Sequence, residues 1–366
     1  MTSSTIQTTA TTVEIKALRA ALDWVGKATN SRRSAPDIYS HVLMRNGDGR
    51  LRLTATNGEY WAEASVASDS QDAWEVALPV KKLKAILVGI KEKTISIAYD
   101  GSHYIPYVLV VAGYEERRID GESAEKFPTN PIYKGGNEYI KRMDCTAWHA
   151  VVPAAATENS RPVLTGVLLD GENMVAADGF RLAVAPGPVV DGLRVLIPIT
   201  IGKFLPTTGT VGLYLHATKT YATLELNGSR WVSVQLIQGN YPNYPPLMPT
   251  EWDAQVITSR QALLNACNRL APLTKSGIVR LIYDDGALTV SVAPEGGVVT
   301  GERIPATRNG SEGFQIAFNI RHLQELLPTL TTPDVMIEIT SPSAPATFTG
   351  AASDPRWVVM PMFVQW

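Results

Sequence analysis

The chain has 366 residues, of which 45% are hydrophobic and 19% charged, and its formal net charge is −2. That length accommodates two or three domains with buried cores. The balanced charge excludes an overall basic protein and leaves only local basic surfaces to meet nucleic acid. Cys145 and Cys267 match no metal or redox spacing and suit a reducing compartment. No apolar run approaches the ~20 residues of a membrane helix. These features predict a cytoplasmic protein with no membrane contact.

Met1 to Thr12 is Ser/Thr-rich, lacks the pattern of a signal peptide and is expected to be a disordered tail. From Val13 onward Ile15, Leu18, Leu22 and Val25 recur at helical spacing. Ser31 to Pro36 breaks that helix, and Tyr39 to Met44 reads as a strand. After the turn Asn46-Gly47-Asp48-Gly49, Leu51, Leu53 and Ala55 alternate with polar residues, as on a half-buried strand. A second helix starts at Pro79, with Val80, Leu83, Ile86, Leu87 and Ile90 as its apolar stripe. Thr94 to Ala98 is the next strand.

This order recurs. Leu83 to Leu87 followed by Thr94 to Ile97 parallels Ile201 to Leu205 with Thr210 to Leu213, and Leu323 to Leu327 with Asp334 to Ile337. The first helix returns at Ala147 to Ala155 and at Ser259 to Leu270, where Ser259 is placed to cap the N-terminus. The copies lie about 120 residues apart, a typical domain size. Frequent Asx-Gly pairs point to antiparallel hairpins. The reading is an α+β protein of three like domains, residues 13–132, 133–252 and 253–366.

Ala177-Asp178-Gly179-Phe180-Arg181-Leu182-Ala183 is, by itself, a hairpin turn between two apolar segments. It also resembles the Thr-Asp-Gly-His-Arg-Leu-Ala segment of the bacterial beta sliding clamps, subunits of the replicative DNA polymerase III. Gly239-Asn240-Tyr241-Pro242-Asn243-Tyr244 with Pro249 is similar to the family's connection from second to third domain. Val358-Val359-Met360-Pro361-Met362 is similar to its C-terminus. Leu164-Thr165-Gly166-Val167 and Phe318-Asn319-Ile320 fit weaker family patterns. The resemblance spans essentially the whole chain, in order.

The resemblance implies the DNA clamp fold: antiparallel sheets outside, paired helices within, and two protomers closed head to tail around duplex DNA. A sliding contact is electrostatic and avoids base readout. Basic residues on or beside the predicted helices would then line the hole: Lys16, Arg19, Lys27, Lys81, Lys82, Lys84, Lys203, Arg260, Arg269 and Lys275, joined by loop residues Arg32 and Arg33. For each one a solvated helix face is an equal alternative. Ring closure would pair an edge strand around Tyr104, Tyr107 and Leu109 with a third-domain edge around Leu273 and Ser291.

Implied partners are DNA, a polymerase catalytic subunit, a clamp loader and other proteins carrying a motif near Gln-x-x-Leu-Phe. The motif's groove would use Leu164, Ala177, Gly179, Phe180, Arg181 and Leu182, then Pro242 and Leu247, then Val358, Met360, Pro361 and Met362. Leucine and methionine suit an adaptable apolar pocket, and Arg181 is expected to keep its charge in water above a buried stem. The chain departs from the pattern at Phe180, where His is common, at Ala177 in place of Thr, and at Pro245-Pro246 in place of a basic pair. Its tail, Phe363 to Trp366, is longer, and Trp366 is a candidate to fold over the groove. His41, His103, His149, His216 and His322 form no catalytic or metal pattern, so no catalytic residue, metal or cofactor is expected. The alternatives are a non-catalytic scaffold of repeated β-rich domains, and a phage- or plasmid-borne paralogue with altered partners.

Overall fold

A computed structural model describes residues 9–30, 32, 34–130, 137–158, 160–293, 299–310 and 314–365. The chain order begins β1 (Thr9–Glu14), α1 (Ile15–Gly26), β2 (His41–Gly47), β3 (Arg50–Thr56), β4 (Tyr60–Ala67) and β5 (Trp74–Pro79). It continues with α2 (Val80–Leu87), β6 (Thr94–Asp100), β7 (Tyr107–Ala112) and β8 (Glu115–Asp120). Next come β9 (Asn137–Asp144), α3 (Cys145–Val151), β10 (Gly166–Asp170), β11 (Asn173–Ala177), β12 (Arg181–Pro186) and β13 (Arg194–Pro198). A 3-10 turn at Ile199–Phe204 leads to β14 (Thr210–His216), β15 (Tyr221–Leu226) and β16 (Arg230–Gln235). The last stretch holds β17 (Ala254–Ser259), α4 (Arg260–Leu270), β18 (Ile278–Asp284), β19 (Ala287–Val292), β20 (Thr300–Gly310) and β21 (Phe314–Asn319). It closes with α5 (Ile320–Leu326), β22 (Asp334–Ile339), β23 (Ala346–Thr349) and β24 (Arg356–Val359). One order, strand, helix, four strands, helical turn, three strands, thus runs three times.

Compactness does not follow the three runs. One compact unit is Met1–Lys141 with Lys203–Leu205 and Val211–Gln235; the other is Arg142–Gly202 with Pro206–Thr210 and Leu236–Trp366. The cause is sheet pairing. In the first unit β16 lies antiparallel on β4, extending the sheet β5-β2-β3-β4 into β16-β15-β14-β9. In the second, β24 lies antiparallel on β12 in the same way, within a twelve-stranded array.

In the first unit α1 buries Ile15, Leu18, Leu22, Trp24 and Val25, the stripe read from the sequence with Trp24 added. Trp24 meets the Phe204 ring edge-on at 5.3 Å. In the second unit Ser259 caps α4, its hydroxyl accepting from Ala262 N–H at 3.3 Å, and Leu263, Ala266, Cys267 and Leu270 face inward. Asp144 and Asn319 cap α3 and α5 likewise. Cys145 and Cys267 are buried free thiols. No helix among the described residues is long and apolar enough to cross a membrane.

Three expectations need correction. Residues 9–12, read as tail, belong to β1: Thr9 to Thr12 pair with Tyr99 to Ser96 of β6, and buried Thr11 accepts the Trp74 indole N–H at 3.2 Å. Threonine suits a strand as well as a tail. Residues 1–8 lie outside the described residues. Ile201 to Leu205 is not an α-helix; three β-branched residues, Ile199, Thr200 and Ile201, followed by Gly202, form the tighter turn instead.

The third concerns sheet edges. Tyr107 and Leu109 lie on β7, which is paired on one side by β6 and on the other by β8. Ser291 on β19 is similarly enclosed by β18 and β20. Tyr104 is fully exposed in the loop before β7, and Leu273 is exposed in a turn after α4. The four-stranded sheet runs β1-β6-β7-β8, so β8, not β7, is the edge strand on that side. In the second unit β20 has two halves: Thr258 to Ala254 of β17 pair with Ala306 to Gly310, whereas Gly301 to Pro305 have only β19 as a ladder neighbour among the described residues.

Candidate functional site

β11 and β12 close at the pair Ala177–Leu182. Asp178 builds the turn between them: its Oδ1 accepts from Phe180 N–H at 2.8 Å and Arg181 N–H at 3.0 Å, while Oδ2 accepts from Arg181 Nε at 2.9 Å. Gly179 sits at φ +94°, a region costly for any side chain. The result is a rigid tip that holds Phe180 out, 65% exposed.

Beneath the tip the second unit gathers Leu164, Leu182 and Val358 with Leu168, Val175, Leu196, Tyr241 and Tyr244 into one buried cluster, with Ala177 and Met248 against it. These form a floor. The rim is apolar and open: Leu247 is 57%, Met360 44% and Met362 36% exposed, and Pro242 is exposed beside the buried Tyr241. Met360 N–H donates to Phe180 O at 2.8 Å and Met362 N–H to Ala317 O at 2.7 Å, fixing the C-terminal segment beside the hairpin with Pro361 between them. Trp366 lies outside the described residues. Single exposed hydrophobics need no explanation, but this many around one buried floor mark an interaction surface.

Arg181 departs from expectation. Its side chain is only 9% exposed, and its charge is held between Asp178 at 2.9 Å and Glu325 on α5 at 2.6 Å. Arg321 completes the network at 2.7 Å from Glu325. Burial raises the Glu325 carboxyl, but hydrogen bonds from Arg321 and Arg181 outweigh it and leave the group below the ordinary range. Burial, then the Arg181 charge, pulls the neighbouring His322 imidazole below its usual value. A cleft of about 990 Å³ opens here, lined by Arg161, Phe180, Asn319, Arg321 and His322 among others. Sequence reading missed Arg161, Arg321, His322 and Glu325; the Phe318-Asn319-Ile320 pattern at the start of α5 was the one signal near them.

Glu325→Gln should destabilise the protein by about 1–3 kcal/mol at pH 7, since it leaves the nearly buried Arg181 with one partner. A depressed carboxyl stabilises the fold above its unfolded pKa and loses that contribution as pH falls through the folded one. Urea unfolding at pH 7 and pH 3.5 should therefore show a parent–variant difference that shrinks in acid; a pH-independent difference would rule out the charge network as its source.

Many of the basic residues are engaged by the protein itself. In the first unit Arg19 donates to the Leu87 and Ile90 carbonyls beyond the end of α2, and Lys84 pairs with Asp23 at 2.7 Å. Lys203 donates to the Tyr60 hydroxyl with its Nζ 4.4 Å from that ring, and Lys27 donates to Lys203 O at 2.8 Å. Burial pulls Lys203 below the usual lysine range. Lys16 is exposed on α1, while Arg32, Lys81 and Lys82 are exposed around a separate cleft of about 580 Å³. In the second unit Arg260 donates to the Thr332 and Leu327 carbonyls, Arg269 holds Glu302 in a bidentate pair at 2.7 and 2.5 Å, and Lys275 is exposed. Arg33 lies outside the described residues. Arg19, Lys84, Lys203, Arg260 and Arg269 thus hold the protein itself together.

Comparison with known proteins matches this architecture. The family described as "DNA polymerase III beta subunit, N-terminal domain" matches residues 9–131, and the corresponding "C-terminal domain" matches residues 246–363. A beta sliding clamp of Synechocystis is 26% identical, covering 91% of this chain and 93% of the relative. That of Pseudomonas putida is also 26% identical, covering 96% of this chain and 99% of the relative. Among solved structures, the beta subunit of Streptococcus pyogenes DNA polymerase superposes with a TM-score of 0.86 at 19% identity over 97% of this chain and all of that one. The Pseudomonas aeruginosa sliding clamp bound to griselimycin superposes with a TM-score of 0.85 at 24% identity, covering 97% of this chain and 99% of that one. With both domain families matched in order and curated relatives aligned nearly end to end, the chain belongs to the DNA polymerase III beta subunits and is a sliding clamp.

Proposed function

We propose that two copies of this chain close head to tail into a ring around duplex DNA, with β8 of one protomer pairing with the Gly301–Pro305 half of β20 in the other. One observation carries this reading: the same pairing is made twice inside the chain, by β16 on β4 and by β24 on β12. In the threefold order of elements β8 corresponds to β16 and β24, and β20 to β4 and β12, so β8 and the open half of β20 are the two ends of one repeating contact. A head-to-tail interface of this kind closes a ring when its rotation allows. The three domains are residues 9–132, 133–252 and 253–366, the first including all of β1.

Lys16, Arg32, Lys81 and Lys82 supply charge toward phosphates without reading bases. The apolar rim of Phe180, Leu247, Met360 and Met362 docks short motifs of polymerase, clamp loader and repair proteins. The protein acts as a tether without catalysing a reaction. Sedimentation equilibrium at micromolar concentration should give the mass of two protomers, and one protomer would contradict the ring.

A further inference from the structure

A half-solvated antiparallel sheet ordinarily turns polar residues outward. The first unit's eight-stranded sheet departs from this. Leu213, Leu215, Leu224, Val232 and Val234 fill its buried face, so the alternating residues of the same strands share the other. There Tyr139 on β9, Tyr214 on β14 and Trp231 on β16 form a row, with ring centroids 5.2 and 5.4 Å apart and the planes at 64° and 55°. Tyr139 is half exposed, and Tyr214 and Trp231 are partly exposed.

Acids flank the Trp231 end of the row. Trp231 stands between Glu63 of β4 and Glu225 of β15, each its direct cross-strand partner. Gly212 makes this arrangement possible: a Cβ there would lie 3.1 Å from the Glu225 carboxylate and 3.2 Å from the Tyr214 ring. The vacant side-chain space lets ring and carboxylate lie side by side. The Thr223 and Ser233 hydroxyls beneath hydrogen-bond each other at 2.9 Å.

We propose that this face is a docking surface for a basic segment of a partner protein, whose lysine or arginine side chains lie against the Tyr139–Tyr214–Trp231 row, with Glu225 and Glu63 on either side of Trp231. Cations are attracted to aromatic faces, and flanking carboxylates add charge complementarity. The same carboxylates oppose nucleic acid, whose bases would otherwise stack on these rings. The surface is separate from the apolar rim at Phe180 and takes ligands of different chemistry.

The test uses the full chain labelled with 5-fluorotryptophan, the Trp231 fluorine resonance being assigned by its loss in Trp231→Phe. The probes are a capped Lys-Gly-Arg-Gly-Lys-Gly-Arg peptide, its all-Glu counterpart and a ten-nucleotide oligothymidine. The basic peptide should shift Trp231 saturably, and Glu63→Gln with Glu225→Gln should weaken that binding about threefold or more. Tyr139→Ala, which removes the most exposed ring, should weaken it as well. Unmoved resonances of buried Trp24 and Trp74 would confirm that each variant is folded. Absence of a saturable shift, equal binding by the folded variants, or a response to the oligonucleotide or acidic peptide instead would each overturn the proposal.

Discussion

Replacing Met360 and Met362 together by alanine should weaken binding of a peptide ending in Gln-Leu-Ser-Leu-Phe by about tenfold or more. Interface energy concentrates in a few well-packed apolar side chains, and losing two of them commonly exceeds the ~1.4 kcal/mol that tenfold represents. Both methionines are open to solvent, so their truncation removes rim contacts without excavating the buried floor of Leu164, Leu182 and Val358. Their backbones also remain anchored, because Met360 and Met362 N–H donate to the Phe180 and Ala317 carbonyls whatever the side chain. Fluorescence polarisation with labelled peptide would measure the effect. Unchanged affinity would move the groove elsewhere.

Glu116→Pro should shift the proposed dimer toward the protomer. Gly121 N–H donates to Pro106 O at 2.8 Å, which sets the alternation along β7 and β8. Ile119 and Arg117 therefore point their backbone groups at β7, and Arg118 and Glu116 point theirs outward. Proline at 116 removes an outward donor and spares the inner ladder, the position at which an edge strand tolerates proline. At micromolar concentration the dimer–protomer equilibrium should shift by about tenfold or more, while the melting profile of the protomer stays close to the parent's. A variant that remains fully dimeric would exclude β8 as the closing edge.

Much of the fold was legible because local chemistry and tertiary structure agree. The stripes of α1 and α4, the Ser259 cap and the Asp178-Gly179 turn are short-range features. What stayed hidden depends on distant partners. The Glu115-Glu116-Arg117-Arg118 stretch of β8 lacks alternation, so its pattern shows no strand and points to β7, one strand early, as the edge. Nothing beside Arg181 in sequence announces Glu325, yet that pair changes Arg181 from a wet rim charge into a buried strut between hairpin and helix. Arg19 and Arg260 looked like DNA ligands because a helix pattern cannot reveal carbonyls left open at the end of a neighbouring helix.

A ring of the proposed kind would hold DNA by enclosing it. Retention on nicked circular DNA, before and after the circle is cut once, tests it most directly. A closed ring should stay on the circle at a salt concentration that abolishes simple electrostatic binding, and should be lost rapidly once the DNA has ends. Equal retention on circular and linear DNA would contradict it.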